Sequence, residues 1–128
     1  MKKILLDTNF LLIPAMLKVD IFAEMERIIE EAYEVCVLDK TVDELNSIRE
    51  KQTVRYRKAA QLALKLIEAM HIKVIKTESI KNVDEIILEE ADSKFFIVAT
   101  QDGALKRKLR TKQVPVIVLR QKKHLILT

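Results

Sequence analysis

Apolar residues along the chain gather in short runs at 4–6, 33–38, 72–75, 95–100 and 116–119, broken inside only by Glu34 and Lys73. Runs of this length without polar alternation predict strands buried on both faces, as in a parallel sheet. The stretches between them have helical spacing. One stripe is Ile21, Met25, Ile28, Ile29 and Ala32; a second is Ala59, Leu62, Ala63, Leu66, Ile67 and Met70; a third is Val83, Ile86, Ile87 and Ala91. Polar residues mark where helices begin. Asp20 is placed to cap the first. Thr41 with Glu44, and Asn82 with Glu85, have capping-box spacing, which starts a helix at Val42 and another near Val83. Asp102 can cap a short basic helix over 104–110, and Pro115 opens a fifth strand. Strands alternating with helices predict βαβ units. The expected fold class is α/β: a three-layer α/β/α sandwich with a central parallel five-stranded sheet. No repeat or linker divides the sequence, and 128 residues suit a single domain, 1–128.

Composition narrows the class. Hydrophobic residues at 49% and charged residues at 33% exclude a disordered chain. Aromatics at 5% leave Ile, Leu, Val and Ala to build the core. The lone Cys36 has no partner for a disulfide and lies in an apolar run, so it reads as a buried inert thiol in a reducing compartment. Two lysines before an apolar stretch imitate a secretion signal, but Asp7 and Asn9 interrupt it. No segment reaches the roughly 20 apolar residues of a membrane span. A cytoplasmic protein with no membrane partner is expected.

Four acids then stand out by position. Asp7 ends the first strand and Asp102 follows the fourth; Glu44 and Asp84 sit where helices open. Ligands of open α/β sheets bind beyond the carboxyl ends of the strands, near a topological switch point. All four acids can therefore line one edge. Two carboxylates about 4 Å apart repel by roughly 4 kcal/mol at an effective dielectric of about 20. A divalent cation removes that repulsion and can act on a phosphodiester. No His or Cys cluster competes, and an all-oxygen site selects Mg²⁺ or Mn²⁺. Each acid has a plainer reading too. Glu44 completes a capping box, Asp84 favours a helix dipole, and Asp102 caps a helix or turns with Gly103. Asp7 resists such a reading, because a charge directly after a buried strand needs a partner. Asn9 is placed to hydrogen-bond a ligating carboxylate and Thr100 to do the same for Asp102; both also suit turns.

The segments LLDTN at 5–9, TVDEL at 41–45, DEIILEEA at 84–91 and VATQDGALKRKLR at 98–110 follow one another in a telling order. In that order and spacing the chain resembles the PIN-domain ribonuclease family over essentially its whole length. The resemblance puts the family's catalytic, metal-binding acids on Asp7, Glu44, Asp84 and Asp102, and its polar helpers on Asn9 and Thr100. It implies a PIN-like, Rossmann-like sandwich and a Mg²⁺- or Mn²⁺-dependent endoribonuclease. IPAMLKVDIFAEMERI and KRKLRTKQVPVIVLR look closest to the archaeal branch, which is similar to the eukaryotic nucleases that process small-subunit ribosomal RNA precursors. The related toxin branch, paired with antitoxins, shares the same acids. A non-catalytic RNA-binding ribosome-assembly factor is a further alternative. The implied partners are RNA, a second copy in a homodimer, and a ribosome-assembly factor or an antitoxin.

The net charge of +4 is unevenly distributed. One basic cluster is Arg49, Lys51, Arg55, Arg57 and Lys58; the other is Lys106, Arg107, Lys108 and Arg110, directly after Asp102. Such residues hold phosphates without reading sequence, though each also suits a solvated face. Aromatic stacking platforms are nearly absent. A phospho-accepting receiver domain also gathers acids at strand ends. It needs an acceptor Asp after the third strand, where this chain has Lys76, Thr77 and Glu78.

Overall fold

The computed structural model describes residues 1–128. The elements run β1 (Lys2–Leu6), α1 (Thr8–Leu11), α2 (Ile13–Leu17), α3 (Ile21–Ile28), β2 (Tyr33–Leu38), α4 (Asp39–Lys51) and α5 (Val54–Ala69). They continue with β3 (Lys73–Ile75), α6 (Val83–Glu90), β4 (Phe96–Ala99), α7 (Gly103–Thr111), β5 (Val116–Arg120) and β6 (His124–Leu127). The strands form one sheet in the order β3-β2-β1-β4-β5-β6. The expected α/β/α sandwich is present. Its sheet differs by one strand: β1 to β5 are parallel, and a sixth, β6, pairs antiparallel with β5.

Alternation along each strand divides its side chains between the two faces. Ile4, Leu6, Val37, Ile97 and Ala99 pack with Phe10, Met25, Leu45 and Ala63 from the first five helices. Leu5, Cys36, Leu38, Val98 and Val116 pack with Ile86, Ile87, Leu105 and Leu109 from α6 and α7. Helices cover both faces, which is why the strands read as largely apolar runs. The Cys36 thiol is buried among them and pushed up to about 11, chiefly by loss of solvation.

The chain steps outward from β1 to β2 and β3, then crosses back to place β4 on the other side of β1. That reversal opens a crevice at the carboxyl ends of β1 and β4. Register makes it specific. Leu6 lies opposite Ala99, and the Asp7 N–H donates to the Ala99 carbonyl at 2.9 Å.

Asp20, Asn82 and Asp102 cap α3, α6 and α7, accepting from backbone N–H groups at 2.9–3.2 Å. The expected capping box of Thr41 and Glu44 does not form. α4 begins earlier, at Asp39, with Leu38 at the N-cap and no side-chain cap bond. Asp39 accepts from the Lys40 N–H at 2.8 Å, the Thr77 N–H at 3.0 Å and the Thr77 hydroxyl at 2.7 Å. An acid in the first turn, tied to the segment after β3, suffices to start the helix. Thr41 is left inside α4 and Glu44 is free of capping.

Two residues expected to face inward, Leu62 on α5 and Met70 at its C-cap, are exposed. The buried line is Ala59, Ala60, Ala63 and Ile67, and its alanines let the neighbouring helices approach closely. The apolar stripe is wider than that contact. Its margin borders an open groove of 740 Å³ with Val19, Phe22 and Tyr33. No helix is long and apolar enough to cross a membrane.

The sixth strand comes from a hairpin. The Lys123 N–H donates to the Arg120 carbonyl at 3.0 Å, and Gln121 and Lys122 between them have φ of 54° and 57°. Two positive φ values at the centre identify a type I′ turn, the hairpin turn whose twist suits paired strands. Thr128 and Val116 exchange both backbone bonds, so the alternate residue Leu125 points its N–H and carbonyl away from β5. Side chains of α3 satisfy both groups. Glu24 accepts from the Leu125 N–H at 2.9 Å, and Arg27 donates to the Leu125 carbonyl at 3.1 Å while pairing with Glu24 at 2.9 Å. First the Arg27 hydrogen bond and then the Leu125 N–H hold the Glu24 carboxyl down at about 2. A depressed carboxyl stabilises the fold fully above its unfolded value of 4.5 and loses that contribution as pH falls toward about 2. Glu24→Gln should therefore be less stable than the parent near neutral pH, and the gap should close by about pH 2. Urea denaturation across that range tests this; a gap unchanged at the acid end would refute the ion-pair account.

Candidate active site

The crevice at the switch point gathers acids from four elements. Asp7 leaves β1, Glu44 lies on α4, Asp84 opens α6, and Asp102 caps α7 after β4. Asp7 and Asp102 are thus on the same edge of the sheet. The four acids differ in depth. Asp7 is the floor, only 4% exposed; Asp102 is half-buried; Glu44 and Asp84 stand at the open rim.

Two threonines hold this arrangement. The fully buried Thr100 donates its hydroxyl to Asp7 Oδ2 at 2.8 Å, and the same oxygen accepts from the Asp102 N–H at 3.1 Å. Sequence proximity alone points Thr100 at the Asp102 side chain. In the structure it meets the Asp102 backbone and the Asp7 carboxylate together, because β1 and β4 are adjacent. Thr8 donates its N–H to Asp7 Oδ1 at 2.8 Å and its hydroxyl to Glu44 Oε1. Asp102 uses only Oδ1 for its cap, receiving the Ala104 and Leu105 N–H groups. Asn9 is exposed, and its amide donates to none of the four acids. Asp39, which no motif in the sequence marks, lies after β2 at this edge but is locked to Thr77.

The electrostatics follow from burial. Loss of solvation, and then the charges of Asp84 and Glu44, raise the Asp7 carboxyl from 3.8 to about 6 against the opposing bonds from Thr100 and Thr8. Asp84 is also raised, first by partial burial and then by Asp102 and Glu44; Lys108 pulls the other way. Lys108 comes from the second basic cluster and shares a small open pocket with Asp84, Asn82 and Glu85. The rest of that cluster follows along α7, with Lys106 half-buried and Arg107 and Arg110 exposed.

No three Asp, Glu, His or Cys side chains stand round a single ligating point. The donor chemistry nevertheless suits a hard divalent cation. Every candidate ligand is a carboxylate oxygen, the floor acid is buried without a cationic partner, and two acids are raised by neighbouring acids. One turn before Glu44 on α4, the fully buried Thr41 hydroxyl has no hydrogen-bond partner. It adds an unmet polar atom on the same helical face.

An open α/β sheet with carboxylates lining its switch-point crevice defines a domain class whose site is acidic rather than nucleophilic. The chain belongs to the PIN like domain family, which it matches over residues 4–122. It is 32% identical over 125 residues to Ribonuclease VapC4 of Methanocaldococcus jannaschii, covering 97% of this chain and 95% of that protein. It is 31% identical over 120 residues to Ribonuclease VapC9 of Archaeoglobus fulgidus, covering 92% of this chain and 83% of that protein. Its fold is similar to the solved structure of the PIN domain endonuclease Utp24, with a TM-score of 0.79 at 22% identity over 98% of this chain and 90% of that one.

The buried floor acid has a measurable consequence. A carboxyl raised above its unfolded value favours folding most below 3.8, and that contribution is lost as pH rises through about 6. Near pH 7 the ionised group then costs about 3 kcal/mol. With divalent ions chelated, Asp7→Asn should stabilise the protein near pH 7 by about 1–3 kcal/mol, allowing for weaker acceptance from Thr8 and Thr100. The gain should vanish near pH 4. Urea midpoints at the two pH values decide it, and a variant less stable than the parent near pH 7 would contradict the buried-charge account.

Proposed function

We propose that this chain is an endoribonuclease that hydrolyses RNA phosphodiesters with Mg²⁺ or Mn²⁺, carried by Asp7, Glu44, Asp84 and Asp102. The observation behind this reading is Asp7, a buried carboxylate that feels the charges of Asp84 and Glu44, both acidic. Asp7 would be the central ligand, with Asp102 and Asp84 beside it and Glu44 reaching in from α4. A bound ion of this kind lowers the pKa of water and polarises a phosphate.

The chain's own residues set the geometry. Thr100 and the Thr8 N–H fix the two Asp7 oxygens by one bond each, leaving each a further lone pair toward the crevice. Asp102 keeps Oδ2 free of the helix cap, and Glu44 keeps Oε2 free of Thr8. Lys108 at the rim, with Lys106, Arg107 and Arg110 farther along α7, supplies positive charge to a phosphate entering beside Asp84. The crevice opens beyond the carboxyl ends of β1 and β4, where an internal stretch of RNA would enter.

Two archaeal relatives named as ribonucleases, similar over nearly the whole chain, support carrying the activity over. Two cellular roles use the same chemistry: a toxin ribonuclease restrained by an antitoxin, and processing of ribosomal RNA precursors. The named relatives favour the first. The likeness to Utp24 concerns the fold, and the second role rests on the sequence resemblance.

Asp102→Asn should remove Mn²⁺-dependent cleavage of a labelled RNA while leaving the circular dichroism spectrum unchanged. Retained cleavage would sink the proposal. Thr8→Val should release Glu44 and lower cleavage about 10–100-fold, the range seen when partners that orient ligands are removed. Thr8→Ser should restore most of it, and the Mn²⁺ concentration needed to raise the melting temperature should move in parallel. A Val variant that cleaves and binds Mn²⁺ like the parent would show that Thr8 does not position Glu44.

A further inference from the structure

The α4–α5 hairpin carries charges and an aromatic ring that neither the core nor the acidic crevice uses. Every residue from Arg49 to Lys58 is exposed. Lys51, Arg55, Arg57 and Lys58 make no ion pair, and Glu50 is the only acid in the stretch. Cations at the start of α5 oppose its dipole, so they do not serve to stabilise that helix. Among them stands Tyr56, 42% exposed with its hydroxyl unbonded, beside Val54 at 58%. The other strongly exposed aromatic, Phe95, precedes β4 at the opposite edge of the sheet.

Topology sets the tip near the acids. α5 must bring the chain back to the start of β3, so its first turn lies on the carboxylate side. Lys51 falls on the same face of α4 as Glu44, two turns on, about 10 Å along the axis. A strand lying in the crevice therefore meets this tip within a few nucleotides.

We propose that the α4–α5 tip is a docking surface for single-stranded RNA, with Tyr56 stacking on an unpaired base and Arg55, Arg57 and Lys51 holding the flanking phosphates. A ring between cations suits an unpaired strand better than a duplex, whose bases are already stacked. This assignment rests on the ribonuclease reading and deepens it, by naming an unpaired segment as the part of the substrate that is gripped.

The test separates binding from cleavage. Anisotropy of a fluorescein-labelled single-stranded RNA is measured in EDTA with the parent, Tyr56→Phe, Tyr56→Ala and Arg55→Ala/Arg57→Ala proteins, and repeated with the same RNA as a duplex. Tyr56→Ala should weaken single-strand binding about tenfold or more, while Tyr56→Phe keeps it. The double arginine variant should lower the slope of log Kd against log salt by about 0.7 for each phosphate it no longer neutralises. Duplex binding should respond little to Tyr56→Ala. If the parent binds RNA but Tyr56→Ala and the arginine variant bind equally well, the assignment is overturned, whatever the cleavage activity. The same holds if Tyr56→Ala changes only the oligomeric state on size exclusion, which would make the tip a contact for protein. Tyr56-dependent binding without any Mn²⁺-dependent cleavage would uphold this surface and remove the nuclease reading instead.

Discussion

A carboxylate buried in the crook between two parallel strands is unfavourable, and Asp7 is kept there by donors that orient it without neutralising it. Thr100 is central to that arrangement. Its hydroxyl bridges the Asp7 carboxylate and the Asp102 backbone, so the ends of β1 and β4 and the start of α7 share one hydrogen-bonded corner. Adjacency of β1 and β4 is therefore a requirement of the site as much as of the sheet. The crossover that puts them side by side creates the crevice, and the threonine sets how two acids face it.

Around that corner, charge is left unbalanced. Asp84 and Glu44 both act on Asp7, and Asp102 acts on Asp84, while Lys108 is the one cation set against Asp84. Fold stability alone does not account for carboxylates collected with so few counter-charges. The scaffold is firm enough to carry them, because both faces of β1 are fully packed by aliphatic side chains. The same double use recurs at the rim, where Thr8 serves Asp7 through its N–H and Glu44 through its hydroxyl.

Much of this was legible in the order of residues. Short apolar runs such as 4–6 and 116–119 read as strands covered on both sides, and an acid directly after the first run resisted a bland explanation. The positions of Asp7 and Asp102 on a common edge followed from the parallel direction of the strands and the switch-point rule. Local capping logic failed at Thr41, since Asp39 could satisfy the helix start through a distant residue, Thr77, that no nearby spacing reveals. The sixth strand was hidden for a different reason. Hairpins announce themselves by Asn-Gly or Asp-Gly, and here Gln121 and Lys122 occupy the left-handed positions instead. Apolar periodicity also overstated burial on α5, where Leu62 continues the stripe onto the margin of the open groove beside α3.

The hairpin at the C-terminus also settles how the sheet ends. Open margins invite pairing with other chains, and long flat ones are templates for aggregation. At one margin β3 is three residues long, with Lys73 on it and Lys76 just beyond. At the other, the Glu24–Arg27 pair occupies the outward backbone groups of Leu125, where a foreign strand would otherwise begin to zip. One border is blunted by brevity and the other by an ionic clasp, so a sheet with parallel strands through its middle offers little purchase for sideways growth.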